Sequence, residues 1–560
     1  MLRPRIGRQI LSLTSQFRAS HPILSPQWHR QSCVSCASES ASEAASPPSP
    51  STPAAKASTP LVDHRLLGAQ QGLFTMSIYS PGSPIFLPAG TLVFNRLVAF
   101  LRRQYVHYGF EEVLTPTMYK KALWGKSGHL ENYGDDMFTV TSLSPARAED
   151  EARVAAAAET NEVGQEGVLG HGNHEKEMTE TGTKGQEAEY GLKPMNCPGH
   201  CLIFGSTVRS YRQLPVRYAD FSALHRNEIS GALSGLTRVR RFHQDDGHIF
   251  CRPSQVEEEI RKSLDFVRVA YEALRLGPFR LVLSTCPKDH FIGTKEEWER
   301  AEGALARALD HVIGEGKWER NPGDGAFYGP KIDIILTDKN GKEHQTATIQ
   351  LDFQLPKRFG LSYSAPAPEK EARGEVSTDP EELATVGDVT PVMVHRAVLG
   401  SVERLLALLM DQTEGKWPLW LNPKQVVVVT VNDSPEVTAW ANEVRRVMLG
   451  LPSPKSEESE TEKGNTETLE RAIRPSEETG LTVDVDTSAR TVNLKVREAK
   501  AKTYGVIVVV GKKDVENGTV MVDATGIPEK EGQDRNGWAK KQMNPRDLLK
   551  FVKKRVDRYE

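Results

Sequence analysis

The stretch HRNEISGALSGLTRVRRFHQDDGHIFC, residues 225–251, decides the fold of this chain. Two runs with strand character, 216–226 and 238–250, flank the short loop inside it and predict an antiparallel pair of strands. The stretch lies within residues 190–411, a region dense in aromatic, glycine and charged residues. We therefore expect the core of the molecule to be built around this pair.

Helices and further strands surround the pair. Apolar residues from Val93 to Tyr105 recur at helical spacing and predict a helix over 91–108, which Gly109 ends. Similar signals predict helices at 255–276 and 391–412, and strands at 279–285, 331–337 and 344–353. The segment FEEVLTPTM, residues 110–118, predicts a strand that Pro116 ends. This mixture predicts an α+β domain.

The sequence pattern changes at KWPLWLNPK, residues 416–424, where the C-terminal part begins. Beyond it, the apolar runs QVVVVTV, LTVDVD and YGVIVVVG alternate with helical patterns at 435–449 and 494–502. Such alternation predicts a small α/β domain with a sheet rich in parallel pairs. Asn544 and Pro545 form a good N-cap and first-turn pair for a final helix over 545–557.

Composition limits the possible classes of protein. A chain of 560 residues suggests two or three folded units, and 38% apolar against 26% charged residues is enough for a folded core. The net charge of −3 excludes a histone-like, polycationic way of binding nucleic acid, although a local basic groove remains compatible. No apolar run reaches the length of a membrane span, and six cysteines in so long a chain argue against a disulfide scaffold.

The strongest local bias lies at the N-terminus. Residues 1–38 contain five arginines and no acidic residue before Glu39. An Arg- and Ser-rich, acid-poor start with apolar residues on one helical face is typical of a mitochondrial transit peptide, and a disordered basic tail is the alternative. Residues 39–60 are a low-complexity linker.

Two internal segments depart from the folded pattern. Residues 141–188 are acidic with few large apolar residues, which predicts a mobile insertion, and residues 364–388 form a second insertion rich in Pro, Glu and Ala. The predicted organisation is therefore a presequence and linker over 1–60, one domain over 61–415 and a second over 416–560.

Cys197, His248 and His395 could form a metal site, although they are far apart in the sequence. Three nitrogen and sulfur ligands with no fourth protein ligand suit an open catalytic site, in which a substrate completes the shell. On spacing alone this metal site is weakly indicated, because a buried His or Cys usually belongs to an ordinary core. The side chains that are equally eligible on spacing are Cys201, Cys251, His200 and His243.

Three segments together, LKPMNCPGHC (192–201), residues 225–251 and PVMVHRAVLGSVER (391–404), resemble the class II aminoacyl-tRNA synthetases, and within them the threonyl-tRNA synthetase family. The resemblance covers roughly residues 61–560 outside the insertions. It implies a catalytic domain with the antiparallel class II sheet and a C-terminal anticodon-binding domain. It also implies ATP-dependent activation of threonine to threonyl-adenylate, followed by transfer to the 3′ end of tRNA(Thr).

The resemblance assigns metal and amino-acid contacts. It selects Cys197, His248 and His395 as ligands of one zinc ion per subunit, and it places Asp246 where the family holds the threonine hydroxyl. A purely apolar pocket would reject valine by only about 100-fold, whereas polar contacts to the hydroxyl reject it strongly. Serine lacks only a methyl group, worth about 1–3 kcal/mol, so we expect serine to be rejected poorly.

The resemblance also assigns contacts to ATP and its Mg²⁺. Arg226 would hold the α-phosphate and the threonine carboxylate, Glu228 the adenine amino group, and Arg238 the outer phosphates. Phe242 and Arg404 would lie on opposite faces of adenine, where a flat and permanently charged guanidinium is suitable. Further family positions are Gln345 and Thr348 for ATP, and Gln244, Tyr328, Lys331, Gln350 and Ser401 for substrate. Ile229, Arg241 and His243 depart from the family pattern beside the adenine site.

Partners and location follow from the same resemblance. The helix at 91–108 and the strand ending at Pro116 would build a homodimer interface, although the apolar stripe also suits an ordinary core. The segment VREAKAKTYGVIVVVGKKDVENGTV (496–520) resembles the anticodon-binding domain, with Glu516 as a candidate base contact. The basic residues expected to face tRNA, or else to form a solvated charged face, are Lys495, Arg497, Lys500, Lys502, Lys512 and Lys513.

The short region before residue 61 carries no H-x-x-x-H editing signature. The chain thus resembles fungal mitochondrial forms that lack the editing domain, and we expect a place in the mitochondrial matrix. A seryl or prolyl synthetase is one alternative, which the predicted metal ligands and QDDGHIF oppose. A non-catalytic paralogue is the other, and the presence of Arg226 and Arg404 opposes it.

Overall fold

The computed structural model describes residues 63–141, 189–289, 291–338, 341–451, 479–528 and 540–560. All of these lie in one compact unit, Pro60–Glu560. The predicted transit peptide, the 39–60 linker and the insertion at 141–188, apart from its first residue, lie outside the described residues. None of the described helices is both long and apolar enough to cross a membrane.

The part of the chain before residue 416 contains strands β1–β16 and helices α1–α11. The strands are Phe74–Thr75, Ile85–Phe86, Glu111–Glu112, Met118–Lys120, Thr139–Val140, Tyr190–Leu192, Val216–Asp220, Ala223–His225, Arg241–Cys251, Phe279–Ser284, Glu319–Asn321, Lys331–Thr337, Glu343–Asp352, Tyr363–Pro366, Val386–Val389 and Val392–Ser401. The helices are His64–Gln71, Pro88–Tyr108, Lys121–Ser127, His129–Tyr133, Cys197–Gly205, Val256–Leu274, Lys295–Ile313, Gln354–Arg358, Pro368–Arg373, Pro380–Ala384 and Val402–Thr413.

A nine-stranded sheet forms the frame of this part. Its order is β11-β10-β12-β13-β16-β9-β7-β3, and β8 pairs with β9 beside that path. Every pair from β10 to β7 is antiparallel, and the two outermost pairs are parallel. The antiparallel α+β prediction is therefore confirmed, including the pairing of β7 and β8 with β9.

The helix predicted over 391–412 is wrong in its first half. Val392–Ser401 is a strand, and the helix runs from Val402 to Thr413. The strand lies between β13 and β9 and is buried along most of its length, so its apolar run does not alternate. Periodicity cannot distinguish such a strand from a buried helix. The change of structure occurs where Gly400 takes a positive φ and the Ser401 hydroxyl accepts the Arg404 N–H.

The strand predicted within 110–118, which Pro116 was expected to end, is shorter in the structure. Only Glu111–Glu112 pairs with β7, and Met118–Lys120 belongs to a separate sheet of order β4-β6-β5. The Thr115 N–H donates to the Asp220 carboxylate at 3.0 Å instead of to a neighbouring strand. Pro116 has no N–H with which to resume the pairing.

The long helices agree with their predicted patterns. Pro88–Tyr108 buries Val93, Leu97, Leu101 and Tyr105 against the main core and ends at Gly109, which has φ 71°. Val256–Leu274 packs into the same core. The segment predicted as a second insertion contains α9, α10 and the antiparallel pair β14–β15.

The C-terminal part contains strands β17–β21 and helices α12–α15. The strands are Val426–Thr430, Val483–Asp486, Val506–Val510, Val520–Asp523 and Lys541–Met543, and the helices are Pro435–Leu449, Val492–Ala501, Lys512–Asn517 and Pro545–Asp557. Pairs β18–β17 and β17–β19 are parallel, and pairs β19–β20 and β20–β21 are antiparallel. The α/β prediction is confirmed, and Asn544 caps the last helix as predicted.

The segment 416–424, which connects the two parts, packs against both of them. Trp417 and Trp420 are buried in the core of the first part, whereas Leu419 is buried in the core of the C-terminal part. Arg96 on α2 donates to the Asn422 carbonyl at 2.5 Å. The segment 416–424 thus binds both cores rather than acting as a free linker.

Candidate active site

A cavity of about 560 Å³ lies over the centre of the nine-stranded sheet. Every site residue predicted from the sequence lines it: Cys197, Arg226, Glu228, Arg238, Phe242, Gln244, Asp246, His248, Tyr328, Lys331, Gln345, Thr348, Gln350, His395, Ser401 and Arg404. These residues come from segments up to about 200 positions apart, and the sheet brings them together.

Strand geometry explains the convergence. Gln244, Asp246 and His248 alternate along β9, so their side chains point to the same face of the sheet. His248 lies opposite His395 on β16, and His395 lies opposite Gln350 on β13. His248, His395 and Gln350 thus lie side by side on three adjacent strands. Two of them are predicted metal ligands and the third is a predicted substrate contact.

The three predicted ligands form a compact, buried cluster. One ligand atom from each of Cys197, His248 and His395 lies within 4.8 Å of the others. Among the residues that the structure describes, this is the one such group of His, Cys, Asp or Glu side chains. Of the side chains equally eligible on spacing, His200, His243, Cys201 and Cys251, none joins it.

A second set of groups fixes both imidazole rings. His248 Nδ1 lies 2.7 Å from His200 Nδ1, and His395 Nε2 lies 2.9 Å from a carboxylate oxygen of Asp352. Each ring thus keeps its other nitrogen for the cluster, as is usual for metal-binding histidines. Burial holds the pKa of His248 well below its ordinary value, which favours the neutral imidazole that binds metals.

The Cys197 side chain needs a cation beside it to ionise to a thiolate at neutral pH. Burial, followed by the negative charge of Asp246, raises the pKa of this thiol well above its ordinary value. A thiolate at neutral pH therefore requires a bound cation beside it. A buried S/N/N set with an open side toward the cavity fits zinc in a substrate-binding site.

Asp246 lies beside this cluster. One carboxylate oxygen accepts from the Asn196 side-chain amide at 3.1 Å, and the other lies 3.6 Å from His248 Nε2. Burial raises the pKa of this carboxyl, and His395 and Asn196 act in the opposite direction. Asn196 thus holds the carboxylate in place at the metal end of the cavity.

The other end of the cavity is rich in arginine. The Arg226 guanidinium lies over the rings of Phe242, at 5.1 Å, and Tyr133, at 5.9 Å. Burial and the nearby positive charges of Arg226 and Arg238 lower the pKa of Arg404. Three guanidinium groups thus create a positive potential that suits a polyphosphate.

Hydrogen bonds orient two of these arginines. Arg404 Nε donates to the Thr237 carbonyl at 3.0 Å, and one of its terminal nitrogens donates to the Gln345 carbonyl at 3.3 Å. Arg238 forms an ion pair with Glu228 at 2.8 Å. Arg238 and Glu228, predicted to bind opposite ends of ATP, are therefore paired with each other in the structure.

The three departures from the family pattern, Ile229, Arg241 and His243, are not among the residues that line the cavity. His243 Nδ1 is 2.8 Å from the Glu403 carboxylate, and the His243 backbone N–H donates to the same carboxylate at 2.9 Å. This pair joins the residue after Phe242 to the residue before Arg404. Arg241 lies 3.5 Å from His243, and Ile229 is exposed in the loop.

Sequence reasoning missed several groups at or beside the cavity. Tyr133 lines it, and His129 lies 3.7 Å from the Cys197 sulfur, with a pKa that burial lowers to about 4. Arg396, buried against Asp245, was also missed. A signal existed for Arg396 and Asp245, because they are the immediate chain neighbours of predicted site residues. Nothing in the pattern distinguished Tyr133 or His129.

The basic residues of the C-terminal part do not form one surface. Lys495 is 1% exposed, and its amine donates to the Thr430 carbonyl at 2.9 Å and to the Thr430 hydroxyl at 3.0 Å. The prediction that Lys495 faces tRNA is therefore wrong, because this lysine lies on the face of α13 that packs against the sheet. The other predicted residues, Arg497, Lys500, Lys502, Lys512, Lys513 and Glu516, are exposed.

Comparisons with known proteins agree with this geometry. Residues 179–376 match the family "tRNA synthetase class II core domain (G, H, P, S and T)", and residues 454–555 match "Anticodon binding domain". The chain is 42% identical to the probable mitochondrial threonine–tRNA ligase of Schizosaccharomyces pombe, over 83% of this chain and 84% of that protein.

Two further similarities define the extent of the match. The chain is 42% identical to the cytoplasmic threonine–tRNA ligase of Caenorhabditis elegans, over 82% of this chain but only 51% of that longer protein. A crystal structure described as the RNA binding domain of threonyl-tRNA synthetase from Cryptosporidium parvum superposes with a TM-score of 0.66 at 37% identity. That match covers 88% of this chain and 98% of the other.

Proposed function

The chain belongs to the threonine–tRNA ligase family of class II aminoacyl-tRNA synthetases, and on this premise we propose the reaction and the residue roles that follow. Threonine reacts with ATP to give threonyl-adenylate and pyrophosphate, and the threonyl group then passes to the 3′ end of tRNA(Thr). One observation carries the proposal: a single cavity holds the Cys/His/His cluster at one end and three arginines at the other.

Activation brings two anions together. A carboxylate oxygen of threonine forms a bond to the α-phosphorus, the bond from that phosphorus to the β,γ-phosphates breaks, and pyrophosphate leaves. Arg226, at the arginine-rich end of the cavity, binds both the carboxylate and the α-phosphate. Its stacking on Phe242 and Tyr133 holds the guanidinium in place before substrates arrive, which is the condition for strong electrostatic stabilisation.

The arginine-rich end binds ATP. Phe242 and Arg404 enclose adenine, with Gln345 and Thr348 beside the nucleotide. Arg238 binds the outer phosphates and Glu228 the adenine amino group, so ATP replaces the ion pair that these two form in the structure. ATP enters as its Mg²⁺ complex, as in class II synthetases generally.

The cluster end binds the threonine amine and side chain. Cys197, His248 and His395 would hold one zinc ion, which supplies a Lewis-acidic position for the amine and hydroxyl of threonine. Asp246, held by Asn196, accepts a hydrogen bond from the hydroxyl. Valine has no hydroxyl to donate to Asp246, so it lacks the contact that threonine gains.

The remaining cavity side chains complete the substrate shell. The Tyr328 hydroxyl donates to the Gln350 side chain, and the Tyr328 ring lies 5.3 Å from that of His395. This contact fixes Tyr328 over the cluster end of the cavity. Gln244, Lys331, Gln350 and Ser401 act with it as substrate contacts.

The second step uses the C-terminal part. We assign residues 61–415 to catalysis and 416–560 to anticodon recognition, supported by the separate hydrophobic cores of the two parts. The terminal ribose hydroxyl attacks the carbonyl carbon of the adenylate, AMP leaves, and the hydroxyl proton is released. Lys512 and Lys513 are exposed beside Glu516 on α14 and contact the tRNA backbone.

We assign a homodimer and a mitochondrial matrix location on related grounds. Strand β3 is an edge of the large sheet, and Val106 and Leu114 beside it are strongly exposed apolar residues, as an interface between subunits requires. The acid-free, arginine-rich residues 1–38 support import into mitochondria.

Amino-acid-dependent ATP–pyrophosphate exchange by the purified full chain tests the proposal. We expect exchange with threonine, weaker exchange with serine, and none above background with valine or proline. Exchange that is fastest with serine or proline would assign the chain to a neighbouring specificity. No exchange with any amino acid in protein containing zinc would refute the proposed activity.

A further inference from the structure

A buried carboxylate that does not line the cavity lies directly beneath its floor. Asp333 on β12 is 4% exposed and has no role in the proposed mechanism. Its carboxylate contacts three side chains that line the cavity, Lys331, Gln345 and Thr348, together with the buried Ser284. A single group thus touches residues predicted to bind both ATP and the other substrate.

The two carboxylate oxygens divide these contacts. Oδ2 lies 3.0 Å from the Lys331 amine and accepts the Ser284 hydroxyl at 3.0 Å. Oδ1 accepts from the Gln345 side-chain amide and, at 3.3 Å, from the Thr348 hydroxyl. Each oxygen therefore has two partners, which fixes the orientation of the carboxylate as well as that of the groups around it.

The strand ladder explains why the contacts meet at this residue. Asp333 lies opposite Thr348, and Lys331 is two positions earlier on the same face. The register between β12 and β13 shifts after Ile334, which brings Gln345 opposite Ile335 and next to Asp333. Without this irregularity, Gln345 would lie one position further along the ladder.

Solvent exposure distinguishes Asp333 from Asp324, the other carboxylate near the Lys331 amine. Asp324 lies 3.2 Å from the Lys331 amine, but its side chain is 58% exposed and open to solvent. Burial alone would lower the pKa of Lys331, but Asp333 first and then Asp324 raise it above the ordinary value. The buried carboxylate thus keeps Lys331 charged and in one position, whereas solvent weakens the effect of Asp324.

We propose that Asp333 is a positioning residue of the synthetic reaction, which sets Lys331, Gln345 and Thr348 in their reactive geometry before substrates bind. The inference rests on the proposed function, since it concerns the same cavity. A purely structural ion pair would affect stability alone. A positioning residue also affects kcat, and its effect depends on the side chains through which it acts.

The experiment measures threonine-dependent exchange for the wild type, Asp333→Asn, Lys331→Met and the double variant, with the melting temperature of each. The matched control is Glu343→Gln, which removes a carboxylate from the neighbouring strand β13 where it pairs with the exposed Arg280. We expect kcat of Asp333→Asn to fall about tenfold or more, as for misplaced substrate-positioning groups. The loss should be much smaller in the Lys331→Met background, and the control should match the wild type.

Three results would overturn the inference: an unchanged kcat in Asp333→Asn, a loss of the same size in the control, or losses that multiply in the double variant. If Asp333→Asn does not fold, Ser284→Ala decides, because it releases Oδ2 without changing any charge. A fall in kcat of about threefold or more supports positioning, at the scale of one net hydrogen bond, and an unchanged kcat refutes it. A wild type without exchange refutes the proposed function itself, whereas an active wild type with unaffected variants refutes only the role of Asp333.

Discussion

The site residues of the cavity were predicted from family motifs and the basic face of the C-terminal part from residue type, and the two predictions compare very differently with the structure. In the cavity, residues from distant segments converge on one space. On the C-terminal face, Lys495 is buried, Lys500 forms an ion pair with Asp523 at 3.0 Å, and Lys512 and Lys513 remain exposed. Residues whose positions are set by adjacent strands are predictable as a group, whereas basic residues on a helix are not.

The two regions also use charge differently. The cavity holds few charges in fixed, partly desolvated positions, where each one has a large effect on a reaction. The exposed lysines act through many weak contacts that salt screens. Substitutions in the cavity should therefore change kcat strongly, and substitutions on the C-terminal face should change tRNA affinity modestly and in a salt-dependent way.

The largest expected effect comes from Arg226→Ala. This change removes the one guanidinium placed to bind the α-phosphate and the threonine carboxylate, so adenylate formation should slow by roughly 100- to 1,000-fold, as for loss of a preorganised donor. Pre-steady-state adenylate formation measures the effect. Arg261→Ala, which removes an exposed arginine paired with Glu258 on α6, is the control and should retain the wild-type rate.

The next effect separates specificity from general activity. Asp246→Asn removes the charge that accepts the threonine hydroxyl, so kcat/KM for threonine should fall about 100-fold while that for valine stays near its low starting value. Competition assays with threonine, valine and serine measure the ratios. The threonine-to-serine ratio is an internal control, since both carry the hydroxyl, and a large change in it would contradict the assigned contact.

A smaller effect tests the corrected role of Lys495. Lys495→Met should lower the free energy of unfolding by about 1–3 kcal/mol, because the Thr430 carbonyl loses a buried donor, with little change in the salt dependence of tRNA binding. In contrast, Lys512→Ala with Lys513→Ala should leave stability unchanged. For each tRNA phosphate that these two lysines neutralise, the slope of log affinity against log salt should become shallower by about 1 in the double variant.

The same lysine experiment has two outcomes that would contradict the account. If Lys495→Met weakened tRNA binding in a salt-dependent way at unchanged stability, the buried position of this lysine would be wrong. If the Lys512 and Lys513 changes left tRNA binding untouched, the exposed residues of α14 would have no part in it.

The smallest effect concerns the pair that joins the two adenine-binding segments. His243→Ala removes a ring that contacts Glu403, and the KM for ATP should rise by about threefold, at the scale of one typical net hydrogen bond, with less change in kcat. A double-mutant cycle with Glu403→Gln should show coupling, because the two side chains act together. Strictly additive effects would mean that the pair does not position Phe242 and Arg404.

The sequence predicted most of the frame and of the site, and the failures have identifiable causes. The residues after Pro391 form a central strand covered on both faces, so the apolar pattern that predicted a helix carried no information about type. Lys495 was misplaced because its burial depends on which face of α13 packs against the sheet. Lys495 and Ala499, four positions apart, share that buried face, and this helical spacing was the signal that could have identified it.

Buried supporting groups were the least predictable. Asp333 and Asn196 contact cavity residues only because strands and a helix start bring them together. Their local sequence resembles any strand or loop. Only the structure identifies such residues, as the hydrogen-bond partners of side chains that line the cavity.

The central claim is that one cavity combines a metal-binding cluster with an arginine-rich ATP site to activate threonine. Its most direct test removes metal with a chelator, adds zinc back in measured steps, and follows bound zinc and threonine-dependent exchange in the same sample. We predict that exchange rises in proportion to bound zinc, saturates near one equivalent per chain, and is lost together with zinc in Cys197→Ser but not in Cys286→Ser. Full exchange without metal, or a full equivalent of zinc in an active Cys197→Ser protein, would contradict the account.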